Sequence, residues 1–196
     1  MLDAKDSYYL VALPEKEILK KALKLQEEFS QRYGIYEPPY PPIHLTLAII
    51  QPASESELAQ AISLLTSLLP QFLPFRLHVK GISCFSPPYK SLNLAVAPSE
   101  ELLTITRTVI TRLATCGINS HAMEGWDYHI SLVNTVFAAR EWTEEEFNEA
   151  CAQLARENLA LTCTVNNAEL WSPTFPPLKV LARMTAQGRL TTKQNR

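Results

Sequence analysis

The spacing of apolar positions changes several times along the chain, and each change marks an element. Residues 7–14, SYYLVALP, are an aromatic and aliphatic run that stops at a proline, which predicts a strand. Over 14–33 the apolar positions Ile18, Ala22, Leu25 and Phe29 step by four, three and four, the face of one helix. Pro14 suits its first turn and Gly34 its stop. The stretch YEPPYPP at 36–42 cannot be helical, because each proline removes a donor and restricts its predecessor. It leads into the strand IHLTLAII at 43–50. A helix begins at Ser54 with Leu58, Ile62, Leu65 and Leu69 on one face, and FRLHVKGISCF at 75–85 reads as a long strand with a bend at Gly81.

The second half runs through the same order. SLNLAVAP at 91–98 is a strand ending in proline. The helix from 99 to about 116 buries Leu102, Thr106, Val109 and Leu113, and Gly117 stops it. A loop carrying His121 leads to the strand DYHISLVNTV at 127–136. Thr143 and Glu146 have the spacing of a capping box before a helix with Phe147, Ala150 and Leu154 inside. A long strand at 159–171 and a last one at 178–184 complete the half.

Landmarks recur at a nearly constant offset: Pro14 to Pro98 is 84 positions, His44 to His129 is 85 and Ser86 to Ser172 is 86. The offset argues for internal duplication of a strand–helix–strand–helix–strand unit. Alternating helices and strands also suit a parallel doubly wound sheet, but duplicated halves favour an α+β fold. The expectation is a single bilobal domain over 1–196. Its repeat lobes lie at about 7–88 and 91–186, with SPPYKS at 86–91 between them and a polar tail at 187–196. Two antiparallel-type sheets face a central groove, with helices on the outer faces.

Composition narrows the function. At 196 residues, 46% hydrophobic and 19% charged, the chain builds a packed core rather than a disordered one. A net charge of −2 and a pI near 6.1 exclude the global basic footprint of duplex binding, and leave a small phosphodiester or an RNA end held locally. Cys84, Cys116, Cys151 and Cys163 are scattered without a C-x-x-C, which speaks against a zinc ribbon, a redox pair or a disulfide scaffold. No basic region followed by an apolar run opens the chain, and no apolar stretch approaches the roughly 18–20 residues of a membrane span. The chain reads as reduced, cytoplasmic and independent of membranes.

Two short motifs carry the chemistry. Side chains alternate across a strand, so Ile43, Leu45 and Leu47 share one face and His44 and Thr46 the other. Tyr128, Ile130 and Leu132 oppose His129 and Ser131 in the same way. Each apolar set packs under helices, and each polar pair, its members roughly 6–7 Å apart, faces the groove. Two imidazoles and two hydroxyls suit a phosphodiester: hydroxyls hold non-bridging oxygens, one neutral imidazole takes a proton and one imidazolium gives one. No metal or other cofactor is needed.

The paired segments HLTL at 44–47 and HISL at 129–132, in two halves of a chain of this length, resemble the two-histidine (2H) phosphoesterase superfamily. The likeness is greatest to its 2′-5′ RNA ligase-like, or cyclic phosphodiesterase, branch. The resemblance implies a bilobal α+β fold with a metal-independent site in the central groove. It also implies hydrolysis or reversible formation of 2′,3′-cyclic or 2′-5′ phosphoester bonds. Carried over, His44 and His129 are the acid/base pair, with either order open, and Thr46 and Ser131 contact the phosphate.

Further candidates surround these four. Tyr40 and Tyr89 lie in proline-rich loops that can rim a groove, and Trp171 is a candidate for base stacking. Phe85 and Tyr128 read as core. Lys90 and Arg76 are the basic candidates for phosphate contact, with solvated surface positions the alternative reading, and His121 lies in the loop before the second motif. A rival chemistry is zinc held by the two histidines with His121 or Cys116, although hydroxyls are poor zinc ligands. A non-enzymatic rival is a module that binds a nucleotide or RNA end without turning it over.

Overall fold

The computed structural model describes residues 7–122 and 127–186, and the tail expected at 187–196 lies outside them. Among the described residues the helices are α1 (Lys16–Tyr33), α2 (Glu55–Leu68), α3 (Glu100–Thr115) and α4 (Glu144–Leu154). The strands are β1 (Tyr8–Ala12), β2 (Leu45–Gln51), β3 (Phe75–Phe85), β4 (Ser91–Val96), β5 (Asn119–His121), β6 (His129–Val133), β7 (Leu161–Val165), β8 (Asn167–Trp171) and β9 (Val180–Thr185).

Helix α1 follows its periodicity, burying Ile18, Ala22, Leu25 and Phe29, and Gly34 closes it at φ 60, where a side chain would be strained. Ser54, Ser99 and Thr143 cap the other three helices through their side-chain oxygens. The Thr143–Glu146 box is reciprocal, as its spacing predicts.

The strands pair antiparallel throughout, in the order β7-β3-β4-β6-β2-β1-β8-β9, with β5 added to β2. The α+β class and the antiparallel pairing are as expected. The two sheets are arms of one path, joined at Leu45↔Ile130. Each arm draws on both halves of the chain: β3 pairs with β4 and β7, and β8 pairs with β1. This corrects the picture of contiguous lobes at 7–88 and 91–186. Residues 86–90 are too short for anything but an antiparallel hairpin from β3 into β4. The expected strand 159–171 also breaks at Asn166, so β7 and β8 enter different arms.

The helices lie over one face of the sheet: α1 against β6 and β7, α4 against β3 and β4, α3 against β2, β3 and β5, and α2 against β9. Leu10, Leu45, Leu47, Leu94, Ile130 and Leu132 are fully buried there. Each contributes roughly 1.5–3 kcal/mol by leaving water. Cys84 on β3 and Cys151 on α4 form a disulfide with Cα atoms 6.2 Å apart, while Cys116 and Cys163 are free. This corrects the reading of four separate, reduced cysteines, because a sequence separation of 67 conceals a contact between β3 and α4. Among the described residues no helix is long and apolar enough to cross a membrane.

Candidate active site

The joint between the arms positions the site. Carrying the Leu45↔Ile130 register one residue either way sets His44 across from Ser131 and Thr46 across from His129. The imidazoles therefore stand on one diagonal of a rectangle and the hydroxyls on the other. Its sides are roughly 4.5–5.5 Å across the strands and 6–7 Å along them. All four side chains line one groove of about 540 Å³. Their neighbours Leu45, Ile130 and Leu132 point into the core, as alternation requires.

Both imidazoles are held alike. His44 Nδ1 is 2.8 Å from the Pro42 carbonyl oxygen, and His129 Nδ1 is 2.7 Å from that of Asp127. A carbonyl only accepts, so Nδ1 carries a proton and the neutral ring has its lone pair at Nε2. An aromatic edge completes each setting. Trp171 meets His44 at 4.7 Å between ring centroids and 65° between planes, and Phe85 meets His129 at 4.7 Å and 82°. Phe85 ends β3 and Trp171 ends β8.

The charges are less symmetric. Burial lowers the pKa of both histidines below the ordinary imidazole value. At His129 the Asp127 carbonyl bond and the Asp127 carboxylate push back upward. At His44 the Pro42 carbonyl pushes up, and charge on His129 lowers the pKa further.

The hydroxyl of Ser131 donates to Asn93 Oδ1 at 3.1 Å. Asn93 is fully buried, and its amide nitrogen donates to Ser91 Oγ at 3.0 Å and to the carbonyls of Ser91 and Ser83 at 3.3 and 3.4 Å. Two carbonyl partners demand nitrogen on that side, which turns Oδ1 toward Ser131.

Tyr89 and Trp171 line the groove. Tyr40, Lys90 and His121 do not. Tyr40 packs beside Tyr36, with centroids 6.4 Å apart, and Lys90 Nζ donates to the Trp142 carbonyl at 3.0 Å. His121 belongs to β5, opposite Ile49, because the segment read as a loop pairs with the far end of β2. Cys116 caps α3, so neither zinc candidate joins the groove wall. Tyr128 is core, its hydroxyl donating to Thr106 at 3.0 Å. Phe85, also read as core, is only half-buried, against His129.

Sequence reasoning missed several residues that build the groove. Gln26 is buried on α1, and its amide donates to the Pro41 carbonyl at 2.9 Å, beside the carbonyl that holds His44. Its signal is a polar residue on the apolar face of Ala22, Leu25 and Phe29. Asn93 likewise interrupts an apolar strand. The Tyr36 hydroxyl donates to Asn134 Oδ1 at 3.0 Å and accepts from the Asn134 backbone N–H at 2.9 Å. Asn134, Val136, Phe137 and Phe175 extend the wall beyond Ser131.

A model of the 2′-5′ RNA ligase superfamily matches residues 15–174. A protein of Oceanobacillus iheyensis named as a phosphoesterase is 23% identical over 163 residues, 83% of this chain and 87% of its own. A Thermus thermophilus protein superposes with a TM-score of 0.61 at 17% identity, covering 93% of this chain and 99% of its own. Escherichia coli LigT, in complex with 3′-AMP, gives 0.55 at 14%, covering 93% and 98%. Usb1 of Kluyveromyces marxianus gives 0.52 at 14%, covering 92% and 98%. These superpositions bear on the fold.

Proposed function

The chain belongs to the 2′-5′ RNA ligase superfamily, and from that premise we propose that it is a metal-independent phosphodiesterase acting on a 2′,3′-cyclic phosphate of a nucleotide or RNA end. The observation that carries this reading is the diagonal pair of imidazoles, each held at Nδ1 by a carbonyl, across a groove that also holds two hydroxyls.

Burial disfavours charge on both imidazoles, but the Asp127 carboxylate favours it at His129 while charge on His129 disfavours it at His44, which supports His129 as the acid and His44 as the base. His44 Nε2 takes a proton from water as its oxygen attacks phosphorus. The bond from phosphorus to one ribose oxygen breaks, and His129 gives that oxygen its Nε2 proton. The product is a phosphomonoester with a free hydroxyl beside it. Thr46 donates to a non-bridging oxygen, and Ser131 does so on turning its hydroxyl from Asn93 Oδ1 to the phosphate. The same sequence with an alcohol in place of water opens the cyclic phosphate to a phosphodiester and is the ligase direction. Each histidine is worth about 10²–10⁴-fold.

Incubation with the four 2′,3′-cyclic nucleotides in excess chelator tests the reading. Turnover that survives chelation supports it, and turnover abolished by chelation contradicts it. Binding without turnover favours the alternative, a nucleotide- or RNA-end-binding module.

A further inference from the structure

Beyond Ser131 the groove becomes a second, aromatic compartment. Of the large apolar side chains left exposed among the described residues, Tyr89, Val136 and Phe137 all stand on its rim, at 63%, 54% and 47% exposure. A cluster of this kind beside a polar site marks a place for an apolar or aromatic group. The Phe137 ring meets Phe175 edge-on, with centroids 5.3 Å apart. Phe137 also has a φ of 66, a backbone conformation that a bulky residue adopts only where its surroundings impose it. They do so here: the Ala139 N–H donates to the Ile35 carbonyl at 2.7 Å, and the Thr135 hydroxyl to the Tyr89 carbonyl at 3.2 Å.

Within this compartment one polar side chain is held in a defined orientation. The buried Tyr36 hydroxyl has a single proton, which it gives to Asn134 Oδ1 while accepting from the Asn134 backbone. Turning the amide over would leave the hydroxyl with two donors and no acceptor. Burial pushes the Tyr36 phenol up to about 12, so it remains a donor at working pH. Asn134 lines the groove, and with Oδ1 held by Tyr36 the amide atom left for a ligand is Nδ2, a donor with no acceptor capacity. Asn134 follows the end of β6, three residues past Ser131, in the wall that continues with Val136 and Phe137. What it meets is the far part of the group esterified to a phosphorus held between the histidines.

We propose that Asn134, oriented by Tyr36, is the base-reading residue of this groove and selects a nucleobase with a carbonyl, rather than an amino group, at its edge farthest from the ribose. The inference rests on the phosphodiesterase reading and names its substrate class: uridine and guanosine 2′,3′-cyclic phosphates over the cytidine and adenosine forms. The 4-position of a pyrimidine and the 6-position of a purine are the ring substituents most distant from the sugar. A carbonyl there accepts from Nδ2, whereas an amino group sets donor against donor. Tyr89 and Phe137 supply the stacking faces, which every base can use, so the amide alone discriminates.

The test has two readouts on the wild-type protein and two variants, Asn134→Asp and Tyr36→Phe. One is kcat/KM for the four 2′,3′-cyclic nucleotides. The other is the Kd of the four nucleoside 3′-monophosphates, followed by tryptophan fluorescence. Wild type is expected to favour the carbonyl bases about tenfold. Tyr36→Phe flattens the ranking. Asn134→Asp, which still accepts from Tyr36 but offers an acceptor to the groove, reverses it. A flat wild-type ranking, or one that Asn134→Asp leaves unchanged, overturns the inference. Ranked binding without turnover fails the phosphodiesterase reading and leaves the base reading standing. Turnover with a flat ranking does the opposite.

Discussion

The Trp171 indole stands edge-on to the His44 imidazole at 4.7 Å, while its own Nε1–H donates to Glu169 Oε2 at 2.6 Å. The ring is thus fixed at its far side and serves as a wall for the histidine. Trp171 is buried at the end of β8, so truncation also opens a cavity. Trp171→Ala is expected to cost about 3–5 kcal/mol of stability. Trp171→Phe keeps an aromatic edge and is expected to retain more activity than the alanine variant at a temperature where both are folded. Urea melts and kcat/KM for a cyclic nucleotide measure the two effects.

The pH profile follows from the direction of both imidazole shifts. The acid limb of kcat/KM reports loss of the neutral His44, and the alkaline limb loss of the His129 proton. Burial puts both groups below the ordinary imidazole value, so the maximum is expected below pH 6.5. Asp127→Asn removes an upward push on His129 and is expected to move the alkaline limb to lower pH while sparing the acid limb. A rate profile from pH 4 to 9 on both proteins checks the limbs one at a time. Movement of the acid limb alone would reverse the assignment of acid and base.

Asn93 is expected to be the most sensitive polar residue outside the motifs. Asn93→Ala strands the Ser91 and Ser83 carbonyls and leaves the Ser131 hydroxyl without its acceptor. About 1–3 kcal/mol of stability is expected to go with the buried groups left unpaired. Asn93→Asp keeps an acceptor for Ser131 but not the donor for the carbonyls. Comparing KM and kcat in the two variants separates the orientation of Ser131 from the packing of β4.

Arg140 and Glu146 give the α1–α4 contact its own acid sensitivity. The guanidinium reaches both Glu146 carboxylate oxygens, at 2.7 and 2.8 Å, and also donates to the Tyr33 carbonyl at the end of α1. With help from the Thr143 backbone, Arg140 holds the Glu146 carboxyl down to about 2. A carboxyl lowered on folding stabilises the native state above its unfolded pKa, near 4.5, and that contribution is lost as pH falls toward 2. Glu146→Gln is therefore expected to flatten the fall of Tm between pH 5 and 2. Thr143→Ala, which removes the side-chain cap, is expected to cost about 1 kcal/mol near neutral pH.

The elements and the motif residues were legible in the chain because their signals are local. Ile18, Ala22, Leu25 and Phe29 repeat with the helical period, and alternation around His44 and His129 separates core from groove. What remained hidden depends on distance in sequence. Nothing local tells β3 to pair with β7, or β8 to leave β7 at Asn166 and pair with β1. The Cys84–Cys151 contact and the Tyr36–Asn134 contact, 98 residues apart, follow from that exchange of strands. The loop residues Tyr40 and Lys90 looked free to reach the groove, but neighbours hold both elsewhere. Gln26 and Asn93 carried a readable signal, since each is a polar residue on a face that periodicity buries.

The central claim is that His44 and His129 share one proton transfer each in a metal-independent reaction. The most direct measurement is kcat/KM for a 2′,3′-cyclic nucleotide in excess chelator, on wild type, His44→Gln, His129→Gln and the double variant, with folding checked by circular dichroism. Each single variant is expected to lose about 10²–10⁴-fold, with the double variant little worse than either, because the two act as a unit. Full activity in either folded single variant, or activity that chelator removes from the wild type, would contradict the account.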